Sequence, residues 1–399
     1  MKKMLIISAY VPYSSVPHAG GKTHYYYLKQ FSREFEINLI TFSSDNEKNK
    51  AVNDLDSLQI DYTIINRNYS KREKILNLES SFNPFNRNCR MVSNTDQIDV
   101  LSYLRKCKKN GYLPDIILLE WTQMLLACHK VKKMFPNAKV VVSEHDVSFL
   151  AFERKYLGAA GIHRMINRID YLSIHRKELR YLMQSDMILV HNDKDRLLLE
   201  DNSIDKNRIQ TIVPFFSVLN PKLKRSLTKR LLFFGDMSRK ENYLSAIWFI
   251  KNVLNKLEGY TFVILGNKPN VELQKFASDN VVITGFVEDI QPYFDSALCF
   301  VSPLVRGGGI KVKVLEAFTA GLPVLTNSIG IEGIPAVDNI DYIHCETAED
   351  YADAIQALSN DLAKVELLGE NGPHMIEKHF NIKQSSVNVI RRIKELAIE

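Results

Sequence analysis

Cysteine is scarce and scattered: five residues, Cys89, Cys107, Cys128, Cys299 and Cys345, with no CxxC pair among them. That pattern excludes a disulfide framework and a zinc knuckle, and it fits a chain kept in a reducing cytoplasm. Long apolar runs are lacking too. No stretch approaches the ~18 apolar residues of a membrane-spanning helix, and the lysines and short apolar run of the N-terminus have no small-residue cleavage site after them, so any membrane contact is expected to be peripheral. There is no low-complexity tract and no repeat of 20 to 50 residues, which excludes solenoids. One nucleotide-binding signature is only half present: "GGKTH" ends like a P-loop, but the glycine required five positions before Gly21 is Val16, which argues against a nucleoside triphosphatase.

What is present is an ordinary globular composition, with 45% hydrophobic and 25% charged residues in 399. This length predicts two or three domains, each with its own core. Charge is uneven along the chain. Residues 1–215 carry 32 Lys+Arg against 24 Asp+Glu, whereas 216–399 carry 20 against 22. Within the basic half, Ala151 to Ser185 holds seven bases and three acids, interleaved with Phe152, Tyr156, Ile162, Met165, Tyr171 and Tyr181. Such a stretch suits an anionic membrane surface or an anionic acceptor, and equally a pair of solvated amphipathic helices. Nothing in it points to nucleic acid.

Short, continuous, β-branched-rich runs recur between helical patterns: "MLIIS" (4–8), "INLITF" (37–42), "DIILLE" (115–120), "KVVVSEH" (139–145) and "MILVHN" (187–192). Continuous rather than alternating hydrophobicity marks strands buried on both faces, hence a parallel sheet between helices. A second series follows: "RLLFFG" (230–235), "TFVILG" (261–266), "VVITGF" (281–286), "ALCFVSP" (297–303), "PVLTN" (323–327) and "YIHC" (342–345). Two doubly wound α/β domains are predicted: 1–215 and 229–378, with a linker at 216–228 and a terminal helix in 379–399 whose apolar face carries Val387, Ile390 and Ile393.

Ligands of such sheets bind beyond the carboxyl ends of the strands. After the first strand, Gly20 and Gly21 open a helix whose amides and dipole favour an anion or a sugar oxygen, or else they simply make a turn. After the fourth, "SEHD" presents His145 with Asp146 beside it; Glu120 in "LLEWTQM" ends the preceding strand. A histidine so placed is suited to proton transfer or to a ligand hydroxyl, and a structural role is the alternative. Glu120 has a helix cap or a lysine partner as its plain alternative. In "LVRGGGIKVKVLEAF" (304–318), Gly307, Gly308 and Gly309 precede a buried helix of about three turns, so its first amides face whatever lies over the glycines. Arg306, Lys311 and Lys313 add positive charge, and a diphosphate is the natural occupant. Glu316 has two candidate partners, Lys313 one turn back or the two hydroxyls of a ribose.

The run "GGGIKVKVLEAFTAGLPVLTNSIGIEGI" resembles the donor-binding core of the retaining glycosyltransferases of family 4. "PHAGGKTHYYYLKQF", "SEHD", "SDMILVHNDKDRLLL", "LLFFGDMSRKENYLSAIWF" and "VVITGFVEDIQPYFDSALCFVSP" follow the family's order. The resemblance is strongest over 281–334 and loose over 45–110. It implies the GT-B fold, two facing Rossmann-like domains with a C-terminal helix able to cross back to the first. It implies a nucleoside diphosphate sugar as donor, a sugar or lipid-linked acceptor, and neither cofactor nor metal ion. By this likeness Glu316 takes the ribose hydroxyls, Phe286 and Val287 border the base, and Gly308, Gly309 and Ile310 offer amides to the donor. His145 with Gly20 and Gly21 faces the donor sugar and phosphate, and Glu120 and Asp146 lie on the acceptor side.

Two departures stand out. Gly308 occupies a position where the family often has a glutamate. Where the family commonly offers an arginine and a lysine to the diphosphate, this chain has Asp236 and Glu241, with Arg239 and Lys240 adjacent and Arg306, Lys311 and Lys313 as alternatives. The expected activity is glycosyl transfer with retention, serving surface polysaccharide or glycolipid assembly at the inner face of the membrane. A nucleotide-sugar epimerase and a catalytically silent partner subunit of an active transferase are the competing readings.

Overall fold

The computed structural model describes residues 1–67, 75, 91–127, 130–221, 226–307 and 309–398. Two compact units emerge, Met1–Phe215 together with Ile382–Glu399, and Phe216–Asn381.

The first unit is built on seven parallel strands: β1 (Lys2–Ser8), β2 (Phe35–Ser43), β3 (Asp61–Asn66), β4 (Ile116–Glu120), β5 (Lys139–Glu144), β6 (Met187–Val190) and β7 (Ile209–Thr211). Their order is β3-β2-β1-β4-β5-β6-β7. Strands β1, β4, β5 and β6 are nearly wholly buried, as their unbroken apolar runs require. The edge strands β3 and β7 correspond to none of those runs, because β3 is half-exposed throughout and β7 has only three residues. The chain reverses its winding between β1 and β4, where Ser8 pairs in register with Glu120 and Glu120 with Ser143. That reversal opens the crevice where an α/β sheet accepts ligands.

The terminal helix, Ile382–Leu396, packs on this first unit. Val389 and Ile393 enter a core with Met4, Ile6 and Leu28, while Val387 is exposed, so the buried stripe is turned from the face expected of the sequence. Ser385 Oγ fixes the start of the helix, 2.9 Å from the Tyr27 hydroxyl and accepting from Val213 N at 2.9 Å.

The second unit carries six parallel strands, β8 (Arg230–Phe234), β9 (Thr261–Leu265), β10 (Val281–Gly285), β11 (Cys299–Ser302), β12 (Val324–Thr326) and β13 (Ile343–His344), ordered β10-β9-β8-β11-β12-β13. Its reversal lies between β8 and β11, so the loops after Phe234 and Ser302 flank its ligand crevice. The segment expected as a linker is otherwise employed. Residues 216–221 belong to the second unit, with Ser217 N bonded to Glu316, Leu219 N to Thr319 Oγ1 (3.0 Å) and Asn220 N to Gln291 Oε1 (3.1 Å). Lack of helical period conceals a strap held by side-chain acceptors.

Candidate functional site

In the first unit, β4 ends at Glu120 and the chain turns at once into Trp121, whose φ of +69° is rare for a bulky residue. Such strain persists only where surroundings hold it. Here the Trp121 ring stacks on His145, centroids 4.3 Å apart and planes within 13°, and meets the edges of Tyr10 and His24. The Glu120 carboxylate, 3% exposed, sits between two imidazoles, with Oε2 2.9 Å from His145 Nε2 and Oε1 3.3 Å from His24 Nδ1. Burial alone would raise its pKa. The charge of His24 and the hydrogen bonds from both rings outweigh burial and hold the carboxyl well below the usual range.

Because His145 gives Nε2 to Glu120, its Nδ1 is the nitrogen left to face the glycine loop. A Cβ on Gly20 would stand 3.1 Å from that Nδ1 and 3.5 Å from Trp121 Nε1, so glycine is what lets the loop lie against the stack. Gly21 is equally confined, since a Cβ there would meet Val16 and His18 at 2.7 Å. The Gly21 amide donates to His18 Nδ1 at 2.9 Å, so one of the amides expected to await an anion is already capped. Asp146 follows His145 as an exposed residue.

Behind His145 lies His191, at the end of β6, with ring centroids 4.7 Å apart. Neither of its nitrogens has a hydrogen-bond partner, and burial, then the neighbouring His145, lowers its pKa to about 3. His24, Glu120, His145 and His191 line a cavity with only about 10 Å³ for the centre of a water, too small for a sugar ring. This is a packed polar network rather than a substrate chamber. Sequence reasoning found Glu120 and His145 separately; it missed His24, Trp121 and His191, of which Trp121 carried a local signal, an aromatic residue directly after a strand end in "LLEWTQM".

A second buried polar group lies beneath. Glu178 accepts from the amides of Ser148 and Phe149, both at 2.8 Å, and so caps the helix Ser148–Leu157. The Thr122 hydroxyl donates to Glu144 Oε2 and lies 2.7 Å from Ser148 Oγ. Burial raises both carboxyls, helped at Glu144 by the Glu178 charge and at Glu178 by Asp195: Glu178 goes to about 8 and Glu144 well above its ordinary value. The pair therefore retains a proton at neutral pH.

In the second unit, the glycine loop after β11 leads into the helix Val312–Thr319, two turns rather than three. Lys311 folds beneath the loop, donating to the Gly309 carbonyl and lying 3.7 Å from Glu332, so its charge locks the loop. Lys313 donates to Asn242 Oδ1 and lies 4.8 Å from the centroid of Phe233. Asn242 in turn donates to the Asp236 carbonyl at 2.8 Å, joining the loops after β8 and β11. Gly235, at φ +152°, leaves room for this junction, where a Cβ would stand 2.8 Å from Asn242 Nδ2. Burial first, then Arg239, lowers the Lys313 ammonium to about 7.

Glu316, 9% exposed, accepts from Ser217 N at 3.0 Å. Lys313 thus hydrogen-bonds Asn242 and Glu316 a backbone amide, while the Glu316 charge still acts on the Lys313 ammonium one turn back. Arg239 pairs with Glu241; Lys240 and Arg306 are exposed. Phe286, 72% exposed, and the half-buried Val287 follow β10, while Ile310 is half-buried beside Gly309. Gly308 lies outside the described residues.

Two parallel, doubly wound sheets, each with its loops gathered at a winding reversal, define the GT-B class. Residues 228–361, most of the second unit, match the family model of glycosyl transferases group 1, and the chain resembles the GT-B members of that group. Sucrose-phosphate synthase of Thermosynechococcus elongatus has a TM-score of 0.71 over 99% of both chains at 14% identity. TarM of S. aureus gives 0.68 over 100% of this chain and 99% of that one at 12% identity. HepE of Anabaena, in complex with UDP, gives 0.68 over 98% and 100% at 10% identity. At these identities the likeness is one of fold. A Klebsiella pneumoniae protein described as an uncharacterized 44.6 kDa protein in cps region is 28% identical over 116 residues, and the match spans 30% of its length and 26% of this chain.

Proposed function

We propose that the chain is a retaining glycosyltransferase, moving a sugar from a nucleoside diphosphate sugar to an acceptor hydroxyl in the assembly of a surface polysaccharide or glycolipid. The observation that carries this reading is the placement of Lys313 and Glu316 on adjacent turns of one helix after a glycine loop, inside the segment matching group 1 glycosyltransferases. Glu316 is the acceptor for the ribose hydroxyls, with Ser217 N holding it in place. Lys313 and the helix's first amides meet the charge that develops on the departing diphosphate, which is electrostatic stabilisation of the transition state. Retention follows from attack on the face the diphosphate leaves, the leaving phosphate oxygen taking the proton of the acceptor hydroxyl. On the first unit, Glu120 fixes the His145 ring, whose Nδ1 lies against the glycine loop at Gly20.

Uridine nucleotides are the first donors to try, because HepE is described with UDP-glucose and TarM with UDP. The cps-region relative supports a polysaccharide product. The test is a panel of UDP-, GDP- and dTDP-sugars, following nucleotide release with and without lipid-linked acceptors. Acceptor-dependent release with an α-linked product from an α-linked donor supports the proposal. Donor conversion without acceptor would identify an epimerase, and nucleotide binding without turnover would identify a silent partner subunit. Glu316→Ala should weaken UDP binding about tenfold or more, the loss of a charge-assisted pair of hydrogen bonds; unchanged affinity would remove Glu316 from the ribose.

A further inference from the structure

The helix Gly161–Leu182 follows Ser148–Leu157 after a turn of three residues, and the two pack as a hairpin. Its inward face is set by Ile174, Glu178, Leu179 and Leu182. Its outward face is unusual. Ile162 (64% exposed), Met165 (64%), Ile166 (39%), Ile169 (46%) and Leu172 (53%) follow the three-and-four spacing of one helical stripe, and Leu157 (59%) extends the stripe across the turn. Scattered exposed apolar residues need no explanation, but five along one stripe, with a sixth just across the turn of the hairpin, do.

Charge around the stripe is sorted by sign. Arg154, Lys155, Arg164, Arg168, Arg176 and Arg180 are all exposed. The three acids of the same segment are not: Glu178 is fully buried as a helix cap, Asp170 is 8% exposed, and Glu153 is half-buried and hydrogen-bonded to Tyr171. An ordinary solvated helix mixes its signs on the surface. Here two of the three acids are buried and the third is tied to Tyr171, leaving an apolar stripe collared by cations.

We propose that this hairpin tip is a docking surface for an anionic lipid bilayer, lying in the interface with Ile162, Met165 and Ile169 immersed and the collar on lipid phosphates. A second copy of the chain is a poor occupant, because a two-fold contact would set this basic face against itself. Among the described residues no helix is long and apolar enough to cross a membrane, so the contact is interfacial. The inference is independent of the glycosyl-transfer proposal, since it concerns where the first unit rests and not what it transfers.

Flotation of the full chain with vesicles separates the possibilities. Vesicles of phosphatidylcholine with phosphatidylglycerol should carry the protein up the gradient, phosphatidylcholine alone should not, and raised salt should release it. Each exposed base contributes about fivefold to partitioning, so Arg164→Glu with Arg168→Glu should lower it by well over tenfold. Met165→Ser with Ile169→Ser should lower it too, at unchanged melting temperature because both side chains are solvent-exposed. Equal partitioning to neutral and anionic vesicles, or none to either, overturns the proposal. So does a concentration-dependent dimer in sedimentation that the serine pair dissolves while flotation is unaffected, because the stripe would then belong to a second copy.

Discussion

Glu120 Oε2 and His145 Nε2 lie 2.9 Å apart across the ends of adjacent strands, with the rest of the carboxylate given to His24. Removing the charge while keeping the shape leaves both imidazoles without the carboxylate they contact. Glu120→Gln is therefore expected to destabilise the first unit by about 3 kcal/mol, the scale of a broken buried pair. The depressed carboxyl also fixes a sign. Its contribution is fully present above the ordinary carboxylate pKa and is lost as pH falls through that range and below. Urea unfolding at stepped pH checks both. A variant as stable as the parent at pH 7, with the same acid limb, would show the pair to be inert.

His191 adds a separate acid-side term. Its pKa is lowered to about 3 in the folded state against about 6.5 for a free imidazole, so the unfolded chain takes up a proton first as pH falls. Stability should decline from about pH 6.5 downward, by a few kcal/mol by the time pH 4 is reached. His191→Phe keeps a ring against His145 and has no proton to gain, so its stability should be flatter between pH 6.5 and 4. Parallel curves for the two proteins would rule out His191 as the source.

The alkaline side is set by Glu144 and Glu178. Both are raised, so the folded chain holds a proton that the unfolded chain has lost, and stability falls as pH rises from about 5 through 8. Glu144 Oε1 has no hydrogen-bond partner, so an amide fits there without breaking a bond. Glu144→Gln should keep at pH 9 most of the stability it has at pH 6, whereas the parent loses a few kcal/mol over that interval. Thermal melts at the two pH values distinguish them, and an identical loss in both proteins would mean that the shared proton resides elsewhere.

How far the sequence reveals this arrangement depends on which interaction carries it. The central strands are legible because burial on both faces writes itself as unbroken apolar runs; β3 and β7 are not, being half-exposed or too short. Glu120 and His145 each stand out as polar residues at strand ends. That they touch follows only from the β1-β4-β5 order and register, which no local pattern encodes. His24 and His191 are invisible for the same reason, since each is one polar residue in a helix or strand until the sheet brings it to Glu120 or His145. The strap at 216–221 was hidden differently: its order comes from Glu316, Thr319 and Gln291 accepting its amides, and acceptors distant in sequence leave no period.

Lys313 gives the sharpest test of the donor site. Burial and Arg239 bring its ammonium to about 7, so at pH 7.5 a sizeable fraction of molecules has it neutral. A diphosphate arriving beside it favours the charged form and raises that pKa. Binding of UDP at pH 7.5 should therefore take up a substantial fraction of a proton, seen as a dependence of the calorimetric enthalpy on the ionisation enthalpy of the buffer. Affinity should weaken as pH rises from 6.5 to 8.5, in the direction expected for a lysine losing its charge. Lys313→Met should abolish the buffer dependence and weaken binding by about tenfold, the worth of one charge-assisted contact. The Met variant still covers Phe233, so a fold defect would appear in its melting temperature and not as a changed proton count. If UDP binds tightly with the same proton uptake in parent and variant, Lys313 is a strut for Asn242, and the cation that meets the diphosphate must be sought among the exposed Arg239, Lys240 and Arg306.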